Sequence, residues 1–194
     1  MTTEYFYKVN ANKFFNDTAL VDMSALYIVF SEYLKKGDRV LDAGCGSGRD
    51  SKYFKEKGYD VEAFDACEEL TLLATDFSGI TVDVKRFEEL DVDSYYDGIW
   101  CCASLLHVPY ARMVDVFTRL RNACKDRGII YMSFKYGQNE RVQGGRHFTD
   151  LDEFRLMKIV ENTSGLIIRK VWNTSDQRED RQELWINTIL EVSR

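Results

Sequence analysis

The chain has 194 residues, of which 45% are apolar and 30% are charged, and one is proline. This length suits one domain with a sizeable core, so stability requires neither disulfide bonds nor a structural metal, and wholesale disorder is excluded. The net charge of −6, from 26 basic and 32 acidic residues, excludes a generally basic nucleic-acid-binding surface. We therefore expect a single domain that spans residues 1–194.

The cysteines and histidines indicate a reduced protein without a metal site. The five cysteines form no C-x-x-C pair, and His107 and His147 lack the spacing of zinc ligands. Residues 1–10 contain no apolar secretion segment, and no apolar run approaches the length of a membrane span. We expect a cytoplasmic protein with no membrane association.

Helices and strands are predicted to alternate along the chain. Apolar residues at helical spacing behind Asp22, a predicted N-cap, make residues 1–36 a helical segment. A capping box of Thr149 and Asp152 predicts the start of a later helix, which ends near Asn162. Other helices are predicted over residues 49–57, 68–76 and 109–125, and strands over residues 39–44, 59–65, 80–84, 96–103, 128–134, 166–172 and 183–192.

This alternation predicts an α/β fold. Strands that alternate with helices form a parallel sheet covered on both faces. Residues 173–182, between the last two strands, have no apolar helical face and are too few for a crossover. We therefore predict a Rossmann-like, doubly wound, mostly parallel seven-stranded sheet with helices on both faces and a C-terminal antiparallel hairpin.

A glycine-rich turn follows the first strand. The segment D-A-G-C-G-S-G-R-D, residues 42–50, places glycines at 44, 46 and 48 before a helix, whose N-terminus offers free amides. Asp65 ends the second strand, where a carboxylate can hold both hydroxyls of a ribose. The glycines alone could simply form a tight turn. The combination of strand, glycines, helix and acid indicates an adenosine-containing ligand.

The glycine spacing separates the ligand classes. The spacing G-x-G-x-G differs from the dinucleotide fingerprint G-x-G-x-x-G, because Arg49 occupies the position of its third glycine. A phosphate-binding G-x-x-x-x-G-K-[ST] loop is absent. The motif, Asp65 and the terminal hairpin resemble class I S-adenosylmethionine-dependent methyltransferases from about Val40 to Val192. Size and the S-L-L-H-V-P segment, residues 104–109, make the chain similar to small bacterial enzymes of the trans-aconitate and tellurite-resistance type.

The resemblance implies S-adenosylmethionine as cofactor and a role for each matching position. Asp42 and the backbone at Gly44, Gly46 and Gly48 would face its methionine part, and Asp65 would bind its ribose. Phe87 could equally be ordinary core packing. The remaining implied contacts are Ala66 against the adenine, Arg86 and Phe87 at its border, and Cys102, Ala103 and Ser104 beneath the sulfonium.

Candidate catalytic residues lie beyond the fourth and fifth strands. His107 could act as a general base, because its ordinary pKa is about 6.5, or it could cap a helix or bind a core backbone group. Residues 135–149 are predicted to be a loop that closes over a substrate, with substrate roles for Arg146 and His147. The alternative is a mobile surface loop. A nucleophilic cysteine is disfavoured because no partner base is evident.

The cations near this rim could form a local basic mouth on an acidic protein. These residues are Lys135, Arg141, Arg146, Arg178 and Arg181. Arginine matches carboxylates and phosphates well. In the alternative, these cations are solvated and paired with Glu140, Glu179 and Asp180.

The N-terminal segment is the third region that could select an acceptor. The resemblance implies that residues 1–36 lie across the cofactor as a lid, which would use Tyr5, Tyr7, Asn10, Phe14 and Phe15. These side chains could instead pack on the sheet edge.

These features predict a methyltransferase that acts on a small acceptor, which could be anionic. The first alternative is an RNA (tRNA) methyltransferase, with phosphates at the basic rim; nucleic acid is not the favoured partner. The second is a non-catalytic S-adenosylmethionine-binding protein. A nicotinamide dehydrogenase is disfavoured by the glycine spacing.

Overall fold

A seven-stranded sheet organises the protein, as shown by a computed structural model that describes residues 2–178 and 181–194. Seven strands form this sheet: β1 (Arg39–Ala43), β2 (Asp60–Asp65), β3 (Val82–Val84), β4 (Tyr96–Cys101), β5 (Cys124–Lys135), β8 (Leu166–Ser175) and β9 (Leu184–Val192). Two further strands, β6 (Glu140–Gln143) and β7 (Arg146–Thr149), pair with each other in a separate sheet.

The strand order is β3-β2-β1-β4-β5-β9-β8. Neighbouring strands from β3 to β5 are parallel, whereas β9 runs antiparallel to both β5 and β8. The strand order reverses at β1, which lies between β2 and β4. Because these three strands are parallel, their carboxyl ends lie together at one edge of the sheet. The predicted fold, including the terminal antiparallel pair, is confirmed.

Six α-helices accompany the strands in the described residues: α1 (Thr3–Thr18), α2 (Ser24–Ser31), α3 (Arg49–Glu56), α4 (Glu68–Ser78), α5 (Met113–Ala123) and α6 (Glu153–Glu161). Two predicted helix starts need correction. The N-cap of α2 is Met23, while Asp22 accepts a hydrogen bond from the Ser24 amide. The N-cap of α6 is Asp152, and Thr149 instead lies in β7 with its hydroxyl donating to the Val108 carbonyl.

Both faces of the sheet are covered, because side chains alternate along each strand. On one face, Phe30 of α2 and Phe54 of α3 pack against Trp100 and Tyr131, whose rings stack with centroids 3.9 Å apart. On the other face, the strand residues Ile99 and Cys101 pack against Val116, Phe117 and Leu120 of α5. The parallel strands are therefore buried on both sides, as their continuous apolar runs require. No described helix is both long enough and apolar enough to cross a bilayer.

The segment predicted to be a loop, residues 135–149, contains the β6–β7 hairpin. Gly144 and Gly145 turn the chain between the strands, and both have positive φ. Such two-residue glycine turns match the twist of a hairpin. A bridge between Tyr136 and Leu151 ties the base of the hairpin to the main fold. The segment predicted to close over a substrate therefore contains a two-stranded hairpin that the sequence analysis did not predict.

Candidate functional site

A cavity of about 360 Å³ lies at the carboxyl ends of the parallel strands. Residues that follow β1, β2, β3 and β4 form one wall, and the end of β5 and the turn between β8 and β9 form another. Helix α1 contributes Thr3, Glu4, Tyr7, Phe14 and Thr18 to the wall. A cavity of this size fits the range found for small-molecule sites.

The glycine turn brings backbone to the cavity. Gly44 and Gly46 line it with φ of +74° and +56°, and the Gly44 amide donates to the Phe64 carbonyl at 2.8 Å. A Cβ on Gly44 would lie 2.5 Å from that of Ser104. Gly48 does not line the cavity, because its hydrogen faces α4, where a Cβ would lie 2.9 Å from Cα of Ala74. Gly48 therefore serves the close packing of α3 on α4, whereas its predicted cofactor contact stays a prediction.

Asp65 lies at the cavity wall and also fixes the glycine turn. One carboxylate oxygen accepts from the Gly46 amide and the other from the Cys67 amide, both at 2.9 Å. Burial raises the pKa of Asp65, although these two N–H groups oppose that shift. Ala66 follows in the same wall.

Asp42 is buried behind the turn and does not line the cavity. Its carboxylate accepts from the Ser51 hydroxyl at 2.6 Å, and burial together with the charge of Asp50 raises its pKa. Asp42 therefore has no direct contact with this cavity, and its predicted contact with the methionine part stays a prediction. Asp42 instead anchors the start of α3 to the end of β1.

Arg49, which the sequence analysis did not assign, lines the cavity. Its Nε lies 2.6 Å from Oδ1 of Asp50, and Asp50 also accepts from Tyr27 at 2.5 Å and from Trp100 at 2.8 Å. Burial opposes ionisation of Asp50, but the charge and hydrogen bonds of Arg49 lower the pKa of its carboxyl. The cation is thus held rigidly at the N-terminus of α3. Its position directly after the last glycine of the motif could have identified it.

The other implied cofactor residues all line the cavity. Arg86 forms a two-pronged ion pair with Glu4 of α1, at 2.6 and 2.8 Å. Phe87 contacts Phe64 edge to face, with centroids 5.3 Å apart, so core packing and cavity lining both describe it.

The end of β4 is strained where it meets the cavity. Ala103 has φ of +53°, a conformation unfavourable for a side chain, and its amide donates to the Ser133 hydroxyl at 2.9 Å. The Ser104 hydroxyl donates to the Ala43 carbonyl at 2.7 Å. Burial raises the pKa of Cys102 to about 12, so its thiol is protonated at neutral pH. A cysteine nucleophile is therefore disfavoured here.

His107 lines the cavity, but both of its ring nitrogens have partners. Nδ1 lies 2.7 Å from the His147 carbonyl oxygen, and Nε2 lies 2.8 Å from the Tyr7 hydroxyl. Burial, with the cations Arg146 and Lys135, lowers the pKa of His107 to about 4. The backbone partner, one of the two alternatives left open by the sequence, is thus present, whereas the role of His107 as a base stays a prediction.

Arg146 and His147 do not line the cavity, so the structure shows no direct contact of either with it, and their predicted substrate roles stay predictions. The Arg146 guanidinium lies over the rings of Phe6 and Phe148, at 4.4 and 5.0 Å. The His147 amide donates to the Thr3 hydroxyl at 2.9 Å. Both residues therefore connect the β6–β7 hairpin to α1, because each contacts a residue of that helix.

The aromatic residues of α1 divide between the cavity and the surface. Tyr7 and Phe14 line the cavity, whereas Tyr5 is 51% exposed and does not. Phe15 packs edge to face on Phe77 of α4, and the Asn10 side chain donates to the Phe6 carbonyl within α1. Two of the five expected lid residues therefore face the cavity.

The expected basic mouth is largely neutralised by ion pairs. Lys135 lies 2.8 Å from Glu183, Arg178 lies 2.6 Å from Asp176, and Arg141 pairs with Asp150. Lys135 and Arg178 line the cavity, whereas Arg141 and Arg181 do not. Glu140 lies 3.1 Å from His147, and the other two expected acidic partners, Glu179 and Asp180, lie outside the described residues.

Known proteins are similar to this chain in sequence. A family model described as a methyltransferase domain matches residues 16–159. An uncharacterised methyltransferase of Staphylococcus carnosus is 25% identical over 179 residues, 84% of this chain and 86% of that protein. A ubiquinone biosynthesis O-methyltransferase of Xylella fastidiosa is 36% identical over 111 residues, 50% of this chain and 45% of that protein. The chain thus spans about half the length of this second relative.

A solved structure extends the likeness to the whole chain. The 1,6-didemethyltoxoflavin-N1-methyltransferase of Burkholderia thailandensis, solved with S-adenosylhomocysteine bound, superposes with a TM-score of 0.78 at 19% identity. The match covers 98% of this chain and 85% of that one. Fold and site together define a class I methyltransferase that uses S-adenosylmethionine. The chain belongs to the methyltransferase-domain family whose model covers most of its length.

Proposed function

We propose that the protein transfers the methyl group of S-adenosylmethionine to a small acceptor held in the same cavity. The observation that supports this most directly is the continuity of the cavity. Its walls run from Asp65 and Arg86, past Ala103, to Lys135 and Trp185. Cofactor and acceptor can therefore meet inside one continuous cavity, where they can be aligned for an in-line displacement.

The residues present fit the cofactor. The bare backbone at Gly44 and Gly46 allows close approach, and the Asp65 carboxylate lies on the wall, where it can accept from both ribose hydroxyls. Ala66, Arg86 and Phe87 would enclose the adenine, and Cys102 and Ala103 would lie beneath the sulfonium. The rigid Arg49 cation, whose Nε and Nη2 already bond Asp50, would face the methionine carboxylate and offset its charge. When bound, the cofactor supplies a methyl group made electrophilic by its positively charged sulfur.

The far end of the cavity would hold the acceptor. It combines aromatic walls, from Tyr7, Phe148 and Trp185, with the polar side chains of Ser133 and Asn187. Such a mixture suits a small, flat molecule with a few hydrogen-bonding groups. Helix α1 covers this end, which favours a small acceptor over a polymer such as RNA.

Two cations support the finer proposal of an anionic acceptor. Lys135 and Arg178 lie in the wall, and each already pairs with a carboxylate, Glu183 or Asp176. A bound anion would share these cations with the carboxylates. Trans-aconitate and tellurite are suitable anionic probes, and calorimetry should show that Lys135→Gln weakens their binding in the presence of S-adenosylhomocysteine. Equal binding by both proteins would contradict an anionic acceptor at this position.

Labelled cofactor tests the function itself. Protein and methyl-labelled S-adenosylmethionine are incubated with a small-molecule cell extract, bulk tRNA or cell protein, with Asp65→Ala as the inactive control. Label in the small-molecule fraction is expected from the wild type only. Label in tRNA would instead establish the RNA alternative. Tight cofactor binding without label in any fraction would indicate a non-catalytic binding protein.

A further inference from the structure

Three groups from distant parts of the chain form a line beside the cavity. The Tyr7 hydroxyl of α1 lies 2.8 Å from Nε2 of His107, and Nδ1 of His107 lies 2.7 Å from the His147 carbonyl oxygen. Tyr7 and His107 line the cavity, whereas His147 lies behind them. The line therefore leads from the cavity into the protein.

The direction of the hydrogen bonds follows from the end of this line. A carbonyl oxygen can only accept, so Nδ1 of His107 must carry the imidazole proton when the ring is neutral. Nε2 is then an acceptor, and the Tyr7 hydroxyl must donate to it. The hydroxyl proton of Tyr7 is thereby committed to His107, and the Tyr7 oxygen, which also accepts from Arg146, has one lone pair left for a further hydrogen bond.

The surroundings keep both side chains uncharged at neutral pH. Cations face His107 from two elements, Lys135 of β5 and Arg146 of β7. Burial, together with the charges of Arg146, His147 and Lys135, lowers the pKa of His107 to about 4. Burial raises the pKa of Tyr7, and this effect outweighs the hydrogen bond and charge of Arg146, which lower it. A preformed phenolate or imidazolium is therefore disfavoured.

We infer that Tyr7 receives the departing proton of the methyl acceptor and passes its own proton to His107. This inference rests on the function proposed above. The acceptor's nitrogen or oxygen lone pair forms the bond to the methyl carbon, and the carbon–sulfur bond breaks with its electron pair remaining on sulfur. The acceptor's proton bonds to the Tyr7 oxygen while the former Tyr7 proton bonds to Nε2. His107 becomes an imidazolium that donates from Nδ1 to the His147 carbonyl, and it later releases the proton to water.

The weak basicity of His107 indicates which acceptors suit such a relay. Methylation of a neutral N–H or O–H group of low basicity produces a strongly acidic cation, which a base of low pKa can deprotonate. A strongly basic amine would keep its proton instead. The relay therefore favours acceptors such as phenols, amides and heteroaromatic N–H groups.

Two substitutions separate proton transfer from mere positioning. Tyr7→Phe removes the hydroxyl, whereas His107→Gln keeps an acceptor for the Tyr7 hydroxyl but cannot take up a proton. General base catalysis contributes about 100-fold or more, so each variant should lose at least that factor in turnover. Tyr5→Phe, an exposed tyrosine on the same helix, is the matched control and should retain wild-type turnover. The assay measures methyl label transferred to a filtered small-molecule extract, with cofactor affinity measured separately by calorimetry.

Nitrogen NMR of the protein without cofactor or acceptor gives a readout independent of turnover. With labelled histidine, the wild type at pH 7 should show His107 protonated at Nδ1 and a hydrogen-bonded, unprotonated Nε2. Tyr7→Phe should shift the Nε2 resonance and leave the Nδ1 proton in place. A proton on Nε2 in the wild type would overturn the relay.

The turnover results also distinguish the two proposals. Methylation by the wild type that persists undiminished in both variants would remove the relay and leave the proposed function intact. If His107→Gln alone remained active, His107 would only position Tyr7, and proton transfer to it would be excluded. No methylation by the wild type would remove the proposed function, and the relay with it.

Discussion

The two ends of the cavity are constructed differently. At the cofactor end, backbone groups of the glycine turn meet the Asp65 carboxylate, and Gly46 and Asp65 are 19 residues apart. At the acceptor end, side chains meet across the whole chain: Tyr7 and His107 are 100 residues apart, and Thr3 and His147 are 144 apart. The cofactor end thus depends on local backbone geometry, and the acceptor end on tertiary assembly.

This difference explains how the protein can keep one cofactor while relatives use different acceptors. A backbone-built site tolerates few changes, because each glycine is fixed by what a Cβ would contact. A site made of side chains from α1, the β6–β7 hairpin and the β8–β9 turn can change one residue at a time. Four substitutions test this contrast, from the largest expected effect to the smallest.

The largest effect is expected at Gly48, because its Cβ would contact the backbone of Ala74 and its φ is +75°. Strain and overpacking together should lower the free energy of unfolding by about 3–4 kcal/mol in Gly48→Ala. Gly144→Ala is the control, since Gly144 also has positive φ but meets nothing within 4 Å. Urea unfolding compares the two. Equal losses would show that conformation alone, and not packing of α3 on α4, fixes the turn.

Asp65→Ala should give the next largest effect. The loss of two charge-assisted hydrogen bonds to the ribose, and of the two amide bonds within the turn, should weaken cofactor binding by about 30- to 200-fold, or about 2–3 kcal/mol. Asp83→Ala, an exposed carboxylate on β3, is the control and should bind normally. Calorimetry with S-adenosylmethionine measures both. Unchanged affinity for Asp65→Ala would show that the cofactor end does not depend on this carboxylate.

The acceptor end should be the more sensitive to acid through His107. Its pKa of about 4 lies below the unfolded value of about 6.5, so the unfolded state takes up the proton first as pH falls. The neutral, buried His107 therefore contributes fully to the free energy of unfolding above about pH 6.5. This contribution is lost as the pH falls from about 6.5 to about 4. Between pH 7.5 and 4.5 the wild type should therefore lose about 2 kcal/mol more unfolding free energy than His107→Gln. Parallel losses in urea unfolding would place the acid sensitivity elsewhere.

The smallest effect on cofactor affinity is expected at the ion pair between Glu4 of α1 and Arg86 of the cofactor end. Both side chains are largely exposed, at 46% and 59%, and exposed pairs contribute less than about 1 kcal/mol. Glu4→Gln should change cofactor affinity less than about fivefold, and added salt should reduce the difference further. Calorimetry at two salt concentrations is the measurement. A larger, salt-independent loss would mean that α1 docking is coupled directly to the cofactor end.

Local patterns predicted most of the main sheet. Strands β1 and β4 are short apolar runs, and Gly58 and Gly79 follow α3 and α4, so both features are visible within a few residues. The β6–β7 hairpin was missed because its strands are mostly exposed and polar, with Phe148 and Thr149 as its buried residues. The predicted helix over residues 109–125 extends two residues beyond the end of α5. Cys124 and Lys125 fit a helix as well as they fit the strand β5, to which they belong.

The residues of the cofactor end could be predicted from local sequence, whereas those of the acceptor end depend on contacts between distant parts of the chain. The turn at Gly44 and Gly46 and the acid at 65 are local, and sequence spacing alone placed them at the cavity. The fastening roles of Arg146 and His147 depend on α1, whose position no spacing reveals. The partners of the rim cations were missed for a related reason, since a sequence shows a cation such as Lys135 but not the carboxylate that tertiary structure brings beside it.

The long separations at the acceptor end bear on the order in which the protein folds. Closing a longer loop costs more entropy, and contacts between distant residues form slowly. The glycine turn needs only neighbouring strands, whereas Tyr7 must wait until both β4 and the β6–β7 hairpin have formed. We expect α1 to dock last, so that a folding chain gains its cofactor site before its acceptor site.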